Sequence, residues 1–308
     1  MRRSEWSSPA TFSSSCTMRY EGVVYRPPSE ANSLLIQATI GCPHNKCSFC
    51  AMYQGKQFRI RPVAEIKEDL LTARSYYGDE VESVFFPDGN TIIMRTEQLE
   101  EIFGYTLELF PYVKRITVYG SARFINLKSA DELVRLKAAG LSRIHSGMES
   151  GDDQVLQRLN KGVTAAEIIA AGLKVRAAGI EQSEYVLIGA GGRERSREHA
   201  LASAAVLNQI TPEFIRLRTF IPMQGTPLYR SWQEGTFELL SPHEALQETA
   251  WFVAALEAAG SKLYSDHASN YAYVNGRIPE AKARMLHTIE NLLTMPEDSF
   301  RPPEAGGL

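Results

Sequence analysis

No excess of basic charge marks this chain. Its 308 residues carry 33 Lys and Arg against 36 Asp and Glu, a net charge of −3, so no global positive field invites a nucleic-acid partner. Long apolar runs are missing too: nothing approaches the roughly 18 residues needed to span a bilayer, so no membrane role is expected. Residues 1–20 hold Arg2, Arg3 and many serines but no apolar central segment. That pattern excludes a secretory signal and predicts a disordered or extended leader over 1–30, with an Arg/Ser-rich transit peptide as the alternative. The expected location is cytoplasmic. Internal repeats and low-complexity linkers are also absent. A hydrophobic content of 44% over this length suits one large domain with an appendage.

Cysteine is scarce, with four in the chain, and its placement carries the strongest signal. Cys42, Cys47 and Cys50 fall within nine consecutive positions, in Gly41-Cys42-Pro43-His44-Asn45-Lys46-Cys47-Ser48-Phe49-Cys50. The two residues between Cys47 and Cys50 let both thiolates turn toward one metal centre. Pro43 helps bend the four-residue gap that separates Cys42 from Cys47. Soft thiolates select iron–sulfur clusters or zinc. Three ligands leave one coordination position open for chemistry. Structural zinc remains an alternative and would recruit His44 as a fourth ligand. A disulfide suits a reducing compartment poorly. Cys16 stands apart in the leader, so no auxiliary cluster is expected within this chain.

The rest of the sequence alternates short apolar runs with helical patterns. Strands are predicted at 33–40, 82–86, 115–119, 143–148, 184–188 and 214–220, with helices between them. Pro62 opens the first helix, and Gly140 stops the one over 129–139. Six strands alternating with helices predict an α/β fold with a parallel sheet, closed or partly closed into a barrel. The loops after the strands then share one rim, where such barrels keep their active sites. Beyond about residue 222 the pattern breaks at Pro222, Gly225 and Pro227. The expected division is therefore a leader over 1–30, a barrel over 31–225 and a helical extension over 226–308.

Several motifs stand in order around the cysteine loop. Asp88-Gly89-Asn90 follows the second strand. Gly147-Met148-Glu149-Ser150-Gly151 ends the fourth, followed by Leu156, Arg158 and Asn160-Lys161-Gly162. Ile188-Gly189 with Glu194 follows the fifth, and Met223-Gln224-Gly225-Thr226-Pro227-Leu228 closes the series. Over about 33–220 the chain resembles the radical S-adenosylmethionine superfamily. It is most similar to the branch of oxygen-independent coproporphyrinogen oxidase and the elongator catalytic subunit. One departure is the gap of four residues between the first two cysteines, where most members have three.

The resemblance implies a partial (β/α)6 radical-SAM barrel and an oxygen-sensitive enzyme. Cys42, Cys47 and Cys50 would hold a 4Fe–4S cluster that S-adenosylmethionine chelates and that cleaves it reductively to a 5′-deoxyadenosyl radical. Phe49, Asp88, Gly89, Asn90, Glu149, Arg158, Ile188 and Gly189 would contact the cofactors, with Val186 and Ile188 flanking the adenine and Arg158 pairing with a carboxylate. An electron donor such as flavodoxin or ferredoxin is implied, with a small-molecule substrate preferred over tRNA or protein. Asp266 and His267, in a polar cluster with Ser265, Asn270 and Tyr271, are the candidates for substrate contact or catalysis. Arg123, Arg216 and Arg218 lie near strand ends where an acidic substrate group would meet them. Gly189-Ala190-Gly191-Gly192 after a strand invites a dinucleotide reading, but Glu194 stands where that fingerprint demands Gly.

Overall fold

The computed structural model describes residues 17–305; the first half of the leader, including Cys16, and the last three residues lie outside them. Among the described residues ten strands form: β1 (Leu34–Leu35), β2 (Thr39–Ile40), β3 (Arg59–Ile60), β4 (Ser83–Phe86), β5 (Arg115–Tyr119), β6 (Leu141–Glu149), β7 (Glu181–Ile188), β8 (Phe214–Thr219), β9 (Lys262–Tyr264) and β10 (Gly276–Arg277). The main sheet runs β1-β4-β5-β6-β7-β8-β9-β10, parallel throughout except for the last pair. Its two edges remain apart in that order, so the barrel is partial. Between strands run α1 (Val63–Tyr77), α2 (Thr96–Leu109), α3 (Ala122–Ile125), α4 (Ala130–Ala138), α5 (Asp153–Arg158), α6 (Ala165–Ala177) and α7 (Ser196–Ile210). After β8 come α8 (Pro227–Gln233), α9 (Pro242–Ala255) and α10 (Lys282–Leu293).

Local sequence sets these boundaries. Reciprocal caps open α4 (Ser129 with Glu132), α6 (Thr164 with Glu167) and α9 (Ser241 with Glu244), each satisfying amides that a helix start leaves free. Alternation along the strands sorts the layers. Val84 and Phe86 of β4 are fully buried in the main core, where Phe86 meets Phe103 of α2 at 5.5 Å. Phe85 between them meets Tyr119 and His145 at 5.1 and 5.9 Å in the barrel interior.

Three expectations change. The run 33–40 is not one strand. Gln37 breaks it, because its buried amide donates to Asp88 Oδ2 at 3.0 Å and its carbonyl accepts from Arg61 at 2.7 Å. β1 therefore joins the main sheet, while β2 pairs antiparallel with β3. The C-terminal extension carries its helices and also β9 and β10, which lengthen the sheet. The Pro/Gly-rich tail from Pro296 is expected from its sequence to fray, yet its described residues pack: Arg301 donates to the Ser269 carbonyl, and Phe300 meets His243 and Tyr271.

The described part of the leader has no strand, ends in a single 3-10 turn at Pro28–Glu30 and is tied to the barrel at two points. Arg19 donates to Asp69 of α1 at 2.8 Å, and Glu30 enters the barrel floor completely buried. Glu30 accepts from His145 at 2.9 Å, Ser33 at 2.5 Å and Arg115 at 3.1 Å. Burial opposes its ionisation, but the bonds from His145 and Ser33 outweigh that and hold its carboxyl down at about 2. Burial also lowers the His145 pKa, so a neutral imidazole donates Nε2–H to a carboxylate.

Removing Glu30 strands Arg115 and empties the floor, so Glu30→Ala should lose about 3 kcal/mol in anaerobic urea denaturation, Arg115 being partly solvated. A depressed carboxyl pKa contributes stability above its ordinary value of 4.5 and loses it as pH falls toward about 2. Glu30→Gln should therefore flatten the wild type's acid limb across that window. An unchanged acid limb would refute the assignment.

Candidate active site

The cysteine loop leaves β2 at Gly41 and is tied down on two sides. Gly41 N–H donates to Asp88 Oδ2, and Gly89 N–H donates to the Gly41 carbonyl, both at 3.0 Å. On the far side the loop is stitched to the end of α5. Ser48 N–H donates to Leu159 O at 2.9 Å, Ser48 Oγ to Arg158 O at 2.8 Å, and Asn160 Nδ2 to Lys46 O at 2.8 Å. Leu228 N–H, at the start of α8, donates to Ser48 O at 2.8 Å. The approach of the β4 loop is so close that a Cβ on Gly89 would sit 2.5 Å from Cys42 Cβ and 2.9 Å from its Sγ. Only glycine fits there.

Cys42, Cys47 and Cys50 border one cavity of about 690 Å³ on the C-terminal rim of the sheet. Across it Glu149 and Lys161 form a largely buried pair at 3.0 Å, with side-chain exposures of 15% and 11%. Burial works against the Lys161 charge, but Glu149 and then Cys47 outweigh it and raise the pKa, so the ammonium persists. Lys161 Nζ also stands 5.7 Å from the Phe49 ring centre. Gly147 leaves room for this pair, since a Cβ there would meet Glu149 Oε1 at 2.2 Å. Glu149 itself adopts a left-handed backbone, φ 63°, which turns its carboxylate back across the strand end.

The donor set fits an iron–sulfur cluster. Burial pushes the Cys47 thiol up to about 11 and raises Cys50 as well. Buried thiols of this kind ionise when a metal supplies the compensating charge. The zinc alternative needs His44, whose Nε2 lies 2.7 Å from Asn160 O and whose Nδ1 lies 3.4 Å from Arg123 Nη1. Both ring nitrogens are engaged away from the thiols. Among the described residues no three His, Cys, Asp or Glu side chains converge on a single-ion site.

The residues singled out in the sequence fall into two groups. Phe49, Gly89, Asn90, Arg123, Glu149, Lys161, Arg218 and His267 border the cavity with the cysteines. Asn90 is held by Ser121 N–H at 2.6 Å, its own amide 3.8 Å from Cys42 Sγ. The others stand behind it. Asp88 is fully buried and braces Gly41; burial pushes its carboxyl up to about 6, opposed by the Gly41 amide. Arg158 pairs with Glu194 and donates to Gly191 O at 3.1 Å. Alternation along β7 turns Tyr185 and Leu187 to the cavity and sends Val186 and Ile188 into the outer core. Gly189 N–H donates to the buried Glu248 at 2.6 Å. Asp266 is exposed.

Tyr119 and Tyr185 border the cavity beside them. In the sequence they read as strand aromatics, and only the curvature of the sheet brings them to the site.

Residues 36–204 match the Radical SAM superfamily profile. An uncharacterised protein of Methanocaldococcus jannaschii is 22% identical over 70% of this chain and 69% of its own length. The tRNA uridine(34) acetyltransferase of the same organism is 18% identical over 67% of this chain and 45% of its own. Among solved structures, coproporphyrinogen III oxidase of Escherichia coli superposes with a TM-score of 0.53 at 18% identity, covering 72% of this chain and 52% of that one. The chain thus spans about half the length of the latter two.

Gly89→Ala should push the Cys42 backbone away from the β4 loop. Iron and sulfide per chain after anaerobic reconstitution should fall severalfold, with the circular dichroism of the fold retained. Full cluster loading in this variant would refute the clamp.

Proposed function

The chain belongs to the radical SAM superfamily, and from that premise we propose that it acts on a small-molecule substrate at the cavity bordered by Cys42, Cys47 and Cys50. It is a radical SAM enzyme, working with a 4Fe–4S cluster and S-adenosylmethionine. The observation that carries the site assignment is the meeting of three half-buried thiols with the Glu149–Lys161 pair on one rim.

When bound, the cluster and S-adenosylmethionine supply a 5′-deoxyadenosyl radical that removes hydrogen from substrate. Every other demand falls on the protein. In this reading Cys42, Cys47 and Cys50 hold three irons, with Phe49 and Asn90 walling the loop. Glu149 accepts hydrogen bonds from the cofactor's ribose or amino group. Lys161 pairs with Glu149 and offsets the thiolates' charge. Asp88 and Gly89 act one step back, by fixing where Cys42 stands. Arg158 is committed to Glu194, so it positions the loop that follows β7 rather than a cofactor carboxylate. Tyr25 and Tyr53, edge to face at 6.2 Å, line the same cavity.

A second reading, modification of tRNA, is favoured by the name of the archaeal acetyltransferase relative. A net charge of −3 works against it. Tight binding of tRNA that falls steeply with salt would support that reading.

The central test is anaerobic. Wild type reconstituted with iron and sulfide, then given dithionite and S-adenosylmethionine, should release 5′-deoxyadenosine. Cys47→Ala should lose at least a hundredfold of that product, since a two-thiolate site cannot hold the cluster. A colourless, zinc-loaded wild type that makes none would overturn the reading.

A further inference from the structure

The deep end of the cavity has a chemistry of its own. Arg218 on β8 faces the interior and borders the cavity, its guanidinium 5.5 Å from the Tyr185 ring centre. Among the described residues it has no hydrogen-bond or ion-pair partner. Arg216, two positions earlier on the same face, is by contrast bound to Ser183 Oγ at 3.2 Å. A half-buried cation left unpaired is costly unless an anion arrives to meet it.

Two neutral donors flank it. Tyr185 Oη is buried without a partner, and burial pushes the phenol up to about 12, so it keeps its proton. His267 borders the same cavity. Its Nδ1 receives the Ser269 backbone N–H at 3.1 Å; a backbone amide can only donate, so Nδ1 carries the lone pair. Burial and then the nearby Arg218 lower the His267 pKa, leaving it neutral. Its one proton is therefore on Nε2, which has no partner among the described residues. The segment bearing His267 is fixed to β8: Ser269 Oγ accepts from Thr219 N–H at 3.1 Å, and Asn270 Nδ2 donates to Leu217 O at 2.8 Å. The one carboxylate bordering the cavity, Glu149, is already taken by Lys161.

We infer that Arg218, Tyr185 and His267 form an oxyanion-binding corner that seats the carboxylate or phosphate end of a small substrate with an aromatic or apolar body. The inference rests on the radical SAM reading above and adds the substrate's class. A guanidinium fork reads two oxygens at once, and the phenol and imidazole N–H supply further donors from the strand and the extension. Tyr119 and Phe220 border the same space and suit an apolar body.

The test uses reconstituted holoprotein saturated with S-adenosylmethionine, titrated calorimetrically with benzoate, phenyl phosphate and neutral benzamide at constant ionic strength. One of the two anions should bind at least tenfold tighter than benzamide, and which one identifies the head group. Arg218→Ala should weaken that anion by at least tenfold, Arg218→Lys by less, and Tyr185→Phe by a few fold with its packing kept. Benzamide binding as tightly as both anions would overturn the corner. So would an Arg218→Lys or Tyr185→Phe variant that binds the anion like wild type. Anion binding abolished by S-adenosylmethionine would instead give Arg218 to the cofactor, also overturning it. Release of 5′-deoxyadenosine by the wild type is assayed in parallel. Its absence would sink the catalytic reading, while its presence beside failed anion binding would sink the corner alone.

Discussion

A single buried carboxylate sets where the chemistry can occur. Asp88 accepts the Gly41 amide on the residue before Cys42, and it also takes the Gln37 amide that interrupts the first strand. Gly89 then returns a backbone hydrogen bond to Gly41. Two of these bonds thereby join the end of β4 to the start of the cysteine loop, at a distance only glycine tolerates. Without this clamp, a nine-residue loop with one proline would sample many shapes, and three thiols spaced for a cluster would pay for their ordering at every binding event. The structure settles that cost during folding instead.

The interior built below the loop is unusually charged. Glu30, Arg115, His145, Arg216 and Arg218 all point inward from the leader or the strands, where many barrels place branched apolar side chains. Some are satisfied locally. Glu30 pairs with Arg115 and accepts from His145, and Arg216 donates to the neutral Ser183 hydroxyl. Near the rim, Glu149 answers Lys161. This pairing lets the barrel carry polar groups without the penalty of stranded charge. It also makes the leader part of the fold, because the carboxylate that accepts from His145 comes from residue 30 and not from a strand. His145 lies between Tyr119 and Tyr185, its ring centre 5.8 and 6.0 Å from theirs.

Much of this was legible in the sequence, for physical reasons that also mark where legibility ends. The cysteine spacing speaks directly of soft-metal ligation, and β5 follows a β-branched run whose ends are set by its neighbours' turns. The break at Gln37 was not legible, because the run 33–40 contains neither Gly nor Pro; a buried amide, not a turn residue, ends the ladder. β9 and β10, at three and two residues, are too short for alternation to register. The side of β7 that faces the cavity was misread, since a continuous apolar run looks alike on both faces. Arg158 shows the opposite limit. Its residue type suits a carboxylate, but Glu194, which comes near only in the folded chain, satisfies it first.

The extension beyond the barrel does more than cover an edge. By continuing the parallel order through β9, it carries the 265–270 segment back across the end of β8, where Ser269 and Asn270 pin it to Thr219 and Leu217. The cysteines and Glu149 come from early strands, whereas Arg218 and His267 come from the last barrel strand and the extension. Contacts that would hold a cluster and contacts that would read a substrate thus lie on opposite flanks of one cavity. The extension touches the cysteine loop through α8, where Leu228 N–H donates to Ser48 O, whereas among the described residues Arg218 and His267 make no hydrogen bond to that loop. Such a division keeps a reactive centre constant while the pocket beside it diverges.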